Sequence, residues 1–123
     1  MANKDWKILE PFEWGRLKLK NRIVMPPMET IHNNADGSVN DDMIRYYAER
    51  AKGGVGAIIV QNSNVDSIAS RSLLCMLRAD SDHMIAGLSK LSEEIKANGS
   101  VAILQLGHGG RQANPEAHMG YLY

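Results

Sequence analysis

Val55-Gly56-Ala57-Ile58-Ile59-Val60-Gln61 is an apolar run without polar alternation, entered from Gly53-Gly54 and ending where Gln61 meets Asn62. Runs of this kind fit strands buried on both faces, as in a parallel sheet. Outward from it, Ile23-Val24-Met25-Pro26-Pro27-Met28 and Val101-Ala102-Ile103-Leu104-Gln105-Leu106 read the same way, with Pro26-Pro27 closing the first. A helix lies in each interval. One begins near Asp41, with Ser38 or Asn40 as N-cap and two acids in its first turn. Ile44, Tyr47, Ala48 and Ala51 fall on one face at helical spacing, and Gly53-Gly54 supplies the stop. The other spans 82–98, capped by Ser81 or Asp80, with Met84 or Ile85, Leu88, Leu91 and Ile95 inward and Gly99 at its end.

The order βαβαβ requires parallel strands joined by right-handed crossovers. Long connections follow the strands and short ones follow the helices, and in α/β folds the loops at strand C-termini build the active site. One of these, 29–40, holds the turn signal Asn33-Asn34-Ala35-Asp36-Gly37. The other, 62–80, is long enough to be expected to contribute function or form a lid. Upstream, Phe12-Glu13-Trp14, Gly15-Arg16 and Leu17-Lys18-Leu19-Lys20 read as a hairpin capping one end of the core. The fold class is therefore α/β: the first three βα units of a (β/α)8 TIM barrel, preceded by a small N-terminal β-hairpin. A closed barrel takes roughly 250 residues. This chain has 123, so an incomplete barrel is expected, with 1–123 forming the N-terminal part of a single domain whose remainder is absent.

Lys plus Arg and Asp plus Glu each count 14, which leaves no charge field to attract nucleic acid or anionic lipid. No stretch approaches the roughly 20 apolar residues of a spanning helix. The start, carrying Lys4, Asp5, Lys7 and Glu10, does not read as a signal peptide. The single Cys75 cannot form an intramolecular disulfide and agrees with a reducing, cytoplasmic setting. The seven methionines read as core filler.

The polar residues at the strand ends are the candidates for chemistry. Gln105 opens Gln105-Leu106-Gly107-His108-Gly109-Gly110-Arg111-Gln112. A carboxamide on a rigid strand end offers a donor and an acceptor to a planar heterocycle. On the residues alone, the plainer reading is that Gln105 ties down its own loop. His108 reads first as a structural histidine; His32, His83 and His118 share no metal-ligand spacing with it or with Cys75. Gly53-Gly54-Val55-Gly56 precedes a strand, so it is not a dinucleotide loop, whose glycines follow one. Glu29 follows the first strand and could act as base or ligand, although a solvated carboxylate is the commoner outcome. Asn62 ends the second strand and is expected to point into the same mouth as Glu29 and Gln105.

Three motifs, 21–28, 46–59 and 105–111, resemble in order and spacing the N-terminal third of the Old Yellow Enzyme family of flavin oxidoreductases, and within it the bacterial branch of dienoyl-CoA, 2-enoate and bile-acid-inducible reductases. The resemblance implies an FMN-dependent barrel enzyme that takes hydride from NADH or NADPH and passes it to an activated alkene. It also implies a cofactor-binding set: Pro27 and Met28 beside the isoalloxazine, Glu29 near N5 and O4, Asn62 near the O4 edge, and Gln105 on the pyrimidine edge, in place of the loop-tying role. Hydrogen bonds there would stabilise the reduced ring. Glu29 departs from the usual Cys or Thr, and a carboxylate turned inward would oppose a reduced flavin. His108 and Arg111 belong to the motif as loop structure.

The family's catalytic residues and phosphate-binding loops would lie beyond Tyr123, so no catalytic residue is expected within the chain. Any iron–sulfur cluster or FAD is expected only in a missing C-terminal region. The ending Met119-Gly120-Tyr121-Leu122-Tyr123 does not resemble a family helix start and points to truncation. The expected partner of the full-length protein is a small enone or enoyl substrate, with homo-oligomer formation or self-association through open strand edges. Two other readings stand beside the enzyme segment: a noncatalytic remnant that self-associates, and an unrelated barrel enzyme using another cofactor.

Overall fold

The computed structural model describes residues 6–114. Residues 1–5, His118 and the ending 119–123 lie outside the described residues. Strands β1 (Phe12–Trp14) and β2 (Leu17–Leu19) form the expected antiparallel hairpin, turning at Gly15. Of its apolar residues Leu19 is buried, while Phe12, Trp14 and Leu17 stay exposed.

Four parallel strands follow: β3 (Val24–Met25), β4 (Ala57–Asn64), β5 (Leu77–Arg78) and β6 (Val101–Gly107). β4 is the centre. β6 pairs along its length, from Ala57↔Val101 to Asn64↔Gly107, and β3 pairs with its start at Val24↔Ala57 and Met25↔Ile58. β5 pairs with its far end, at Ser63↔Leu77 and Asn64↔Arg78. Because β6 occupies one edge at both ends of β4, β3 and β5 share the other.

Two helices, α1 (Asp41–Lys52) and α2 (Ile85–Ala97), lie against one face of this sheet. Paired residues in a parallel sheet put their side chains on the same face. Met25, Ile58 and Ala102 accordingly face the helices, where Met43, Tyr47, Ala51, Leu91 and Ile95 complete the core. Asn40 caps α1, its Oδ1 accepting the Met43 N–H at 2.9 Å.

The structure corrects several sequence boundaries. β3 is shorter than the apolar run because Pro26 and Pro27 have no N–H to give to a ladder. β4 starts two residues late and runs through Asn64, and β5 lies inside what reads as a long loop. α2 is not capped by Ser81 or Asp80. A 3₁₀ turn, Asp82–Met84, leads into it; the Asp80 carboxylate is taken by Arg78 Nε at 3.0 and 3.1 Å, and the buried Ser81 hydroxyl has no partner among the described residues. Met84 is buried and Ile85 exposed.

Side chains tie the strand starts together. Asn21 donates from Nδ2 to the Gly54 carbonyl at 2.7 Å and accepts the Ile23 N–H at 3.1 Å, joining the start of β3 to the turn before β4. Ser100 donates to the Val55 carbonyl at 2.6 Å, doing the same for β6. Gly56 lies so close to Asn21 that a Cβ would sit 2.5 Å from its backbone oxygen. A rotamer change cannot relieve a backbone clash. Gly56→Ala is therefore expected to lower unfolding free energy in urea by roughly 1–3 kcal/mol, with the far-ultraviolet dichroism of the native state unchanged.

Candidate active site at the strand ends

The pairing of β4 with β6 slips between Val60↔Leu104 and Ser63↔Leu106. Gln61 and Asn62 thus stand opposite Gln105 alone, a β-bulge. Bulges bend a strand and re-aim its side chains, and they are common beside active sites. Here the bulge lies at the C-terminal ends of the strands, where the sequence places the chemistry.

Gln105 is exposed at this end of β6, and no hydrogen bond among the described residues engages its carboxamide. It does not tie down its own loop. Asn62, half-buried, packs its amide against Gly107, where any Cβ would overlap Asn62 Oδ1. Pro27 is half-buried and Met28 and Glu29 are exposed on the segment leaving β3. The five expected residues thus lie on three adjacent strand ends in the order β3, β4, β6.

Gln61 was not among the expected site residues, yet it organises the middle of the row. It is 1% exposed. Its Oε1 accepts both the Thr30 N–H at 3.1 Å and the Thr30 hydroxyl at 2.7 Å, and its Nε2 donates to Asn33 Oδ1 at 3.1 Å. Its backbone N–H donates to the Tyr47 hydroxyl at 2.9 Å. Like Gln105, Gln61 is a polar residue closing an apolar run, but that position alone does not reveal its partners. Beside it, Glu29, Ile31, Leu73, Leu74 and Met76 line a cleft of 240 Å³ between the loop after β3 and the loop before β5.

The long segment after β4 is braced against its neighbours. Gly109 N–H donates to the Ser70 carbonyl and Asn114 N–H to the Arg71 carbonyl, each at 2.8 Å, joining it to the turn after β6. Ser70 also bonds Asn64 Oδ1 and the Asp66 carbonyl. The N–H groups of Ile68 and Ala69 hold the Asp66 carboxyl below its ordinary range. His108 Nδ1 accepts the Gly110 N–H at 2.9 Å, the structural part expected of it.

Residues 7–120 match the NADH:flavin oxidoreductase / NADH oxidase family. The chain is 46% identical over 101 residues to an NADH oxidase of Thermoanaerobacter brockii, covering 82% of this chain and 16% of that protein. It is 50% identical over 105 residues to an NADH:acrylate oxidoreductase of Vibrio harveyi, covering 85% and 10%. Its fold superposes on the old yellow enzyme from Trypanosoma cruzi with a TM-score of 0.83 at 30% identity, covering 94% of this chain and 30% of that one. The chain therefore spans a minor part of each protein it resembles.

Burial pushes the Tyr47 hydroxyl up from 10.0 to about 12. The folded state thus favours the neutral phenol; this contribution to stability is complete below pH 10 and declines as pH rises toward about 12. Tyr47→Phe leaves the buried Gln61 N–H without its acceptor, with an expected loss of roughly 1–3 kcal/mol at neutral pH. Urea unfolding measured across the alkaline range should show the decline in the parent and a smaller one in the variant.

Proposed function

The chain belongs to the NADH:flavin oxidoreductase / NADH oxidase family, and on that footing we propose that it is the N-terminal part of a single FMN-binding barrel domain of an NAD(P)H-dependent ene-reductase. Pro27 and Met28 flank the flavin ring with their backbone, Glu29 follows them, Asn62 stands at the ring edge, and Gln105 pairs with the pyrimidine. FMN, when bound, supplies the redox chemistry, accepting hydride from NADH or NADPH and delivering it to an activated carbon–carbon double bond. Small enone or enoyl compounds are the substrates this reading assigns to the full-length protein; acrylate, named for the Vibrio harveyi relative, has that chemistry.

The observation that carries the reading is the open Gln105 carboxamide. It presents a donor and an acceptor on a rigid strand end, the pattern a heterocycle edge complements. Glu29 is exposed, which lets its carboxylate stay in water and leaves the backbone to meet the ring. The test is titration of FMN into the flavin-free full-length protein that carries this chain, followed by flavin fluorescence. The parent should bind, and Gln105→Ala should bind roughly tenfold more weakly, as expected when a ligand hydrogen bond is lost. No binding by the parent, or equal binding by the variant, rejects the assignment.

A second reading, self-association, is favoured by β6. Among the described residues its edge away from β4 has no strand partner, and Leu106 beside it is 62% exposed. Unpaired edges template pairing with another chain. Sedimentation velocity should then show assembly that grows with protein concentration; a monomer throughout rejects this reading.

A further inference from the structure

We infer that Gln61 is a positioning residue: it sets the backbone of Pro27–Glu29 by holding the turn that follows. The inference rests on the flavin-site reading above for its consequence, while the hold itself is a property of this chain alone.

The segment from β3 to Thr30 is tied at both ends to the same strand. Met25 pairs with Ile58, and Thr30 is bonded through its N–H and hydroxyl to Gln61, further along β4. Between those ties, Pro26 and Pro27 have ring-locked φ angles. Met28 and Glu29 are left as the only residues of the stretch with ordinary backbone freedom. Releasing Thr30 would return that freedom to the whole segment.

The turn beyond Thr30 needs such a hold. Ile31 has φ +56°, alone among the described non-glycine residues in the left-handed region. That conformation is rarely tolerated by a β-branched residue and persists only where the surroundings impose it. Ile31 is 64% exposed, so packing does not impose it. The bonds on either side do: Gln61 takes Thr30 before it and Asn33 after it. Asn33 in turn donates to the Asn34 carbonyl at 3.0 Å and the Cys75 carbonyl at 2.7 Å, extending the hold to the loop before β5. A carboxamide suits this place because it accepts from Thr30 and donates to Asn33 at once without a buried charge.

Three variants of the full chain test the assignment: Gln61→Leu, Gln61→Glu and Thr30→Val. Amide hydrogen exchange reads the hold without any flavin. Gln61→Leu should speed exchange at Thr30 roughly tenfold or more, with the amides of α1 unchanged. Gln61→Glu keeps the acceptor for Thr30 but loses the donor to Asn33, and should restore Thr30 protection only in part. In parallel FMN titrations Gln61→Leu should bind several-fold more weakly than the parent, with Gln61→Glu between the two. Unchanged Thr30 exchange in Gln61→Leu overturns the inference. So does parental FMN affinity alongside accelerated exchange, because the turn would then be held without consequence for the site. Should the parent itself bind no FMN, the flavin reading fails and Thr30 exchange alone decides the hold. Should Gln61→Leu not fold, Thr30→Val decides: it removes the hydroxyl's bond to Gln61, together with its 3.4 Å acceptance of the His32 N–H, and keeps the backbone N–H; exchange at residue 30 no faster than in the parent overturns the assignment.

Discussion

β4 must satisfy partners of unequal length on its two edges, and the rest of the structure follows from how it does so. On one edge β6 runs beside it throughout; on the other β3 stops at Met25 and β5 begins only at Leu77. Between them that edge of β4 has no strand neighbour. Buried backbone donors are seldom left unpaired, and here side chains from outside the sheet take over. The Tyr47 hydroxyl accepts the Gln61 N–H, while the Gln61 carboxamide receives Thr30. The gap in the ladder is thus also where the loop after β3 is fastened.

The position of α1 is part of the same arrangement. Tyr47 is fully buried in the core and reaches β4 at the bulge, so packing of the helix and pairing of the strand are one event. A hydroxyl pushed up to about 12 stays neutral across the ordinary pH range. Asn40 at the other end of the helix fixes where the helix begins. Core packing behind the candidate site thus acts together with the Gln61 bonds that hold its loop, and neither engages Gln105.

The apolar runs and the helical spacing of Tyr47, Ala48 and Ala51 made the main strands and helices legible, because burial on a sheet or a helix face leaves a period in the chain. Two-residue β5 leaves none: Leu77-Arg78 has no pattern, and its pairing depends on Asn64 being strand rather than loop. Ser63 and Asn64 read as polar loop beyond the apolar run, because their side chains present no apolar face. Of the candidate site, the place of Gln105 at a strand end was legible, whereas its cofactor role came only with the family resemblance. Gln61 was not legible, because its partners Thr30, Asn33 and Tyr47 stand 31, 28 and 14 residues away, and only the fold brings them together.

Helices cover one face of the sheet. The opposite face, with Ile59, Val101 and Ile103 half-buried and Val24 36% exposed, is the one that a TIM barrel turns inward. The same asymmetry aims the Gln105 carboxamide at what would be the barrel's rim, since Val101, Ile103 and Gln105 alternate onto one side of β6. In an open sheet water competes for that carboxamide, and a hydrogen bond made there contributes little net free energy. Closing the face removes the competing water and lowers the local dielectric, so the same pairing becomes stronger without any change in Gln105 itself. On the reading proposed above, the grip of these residues on a planar ligand would be set as much by how completely the interior face is covered as by the residues that touch the ligand.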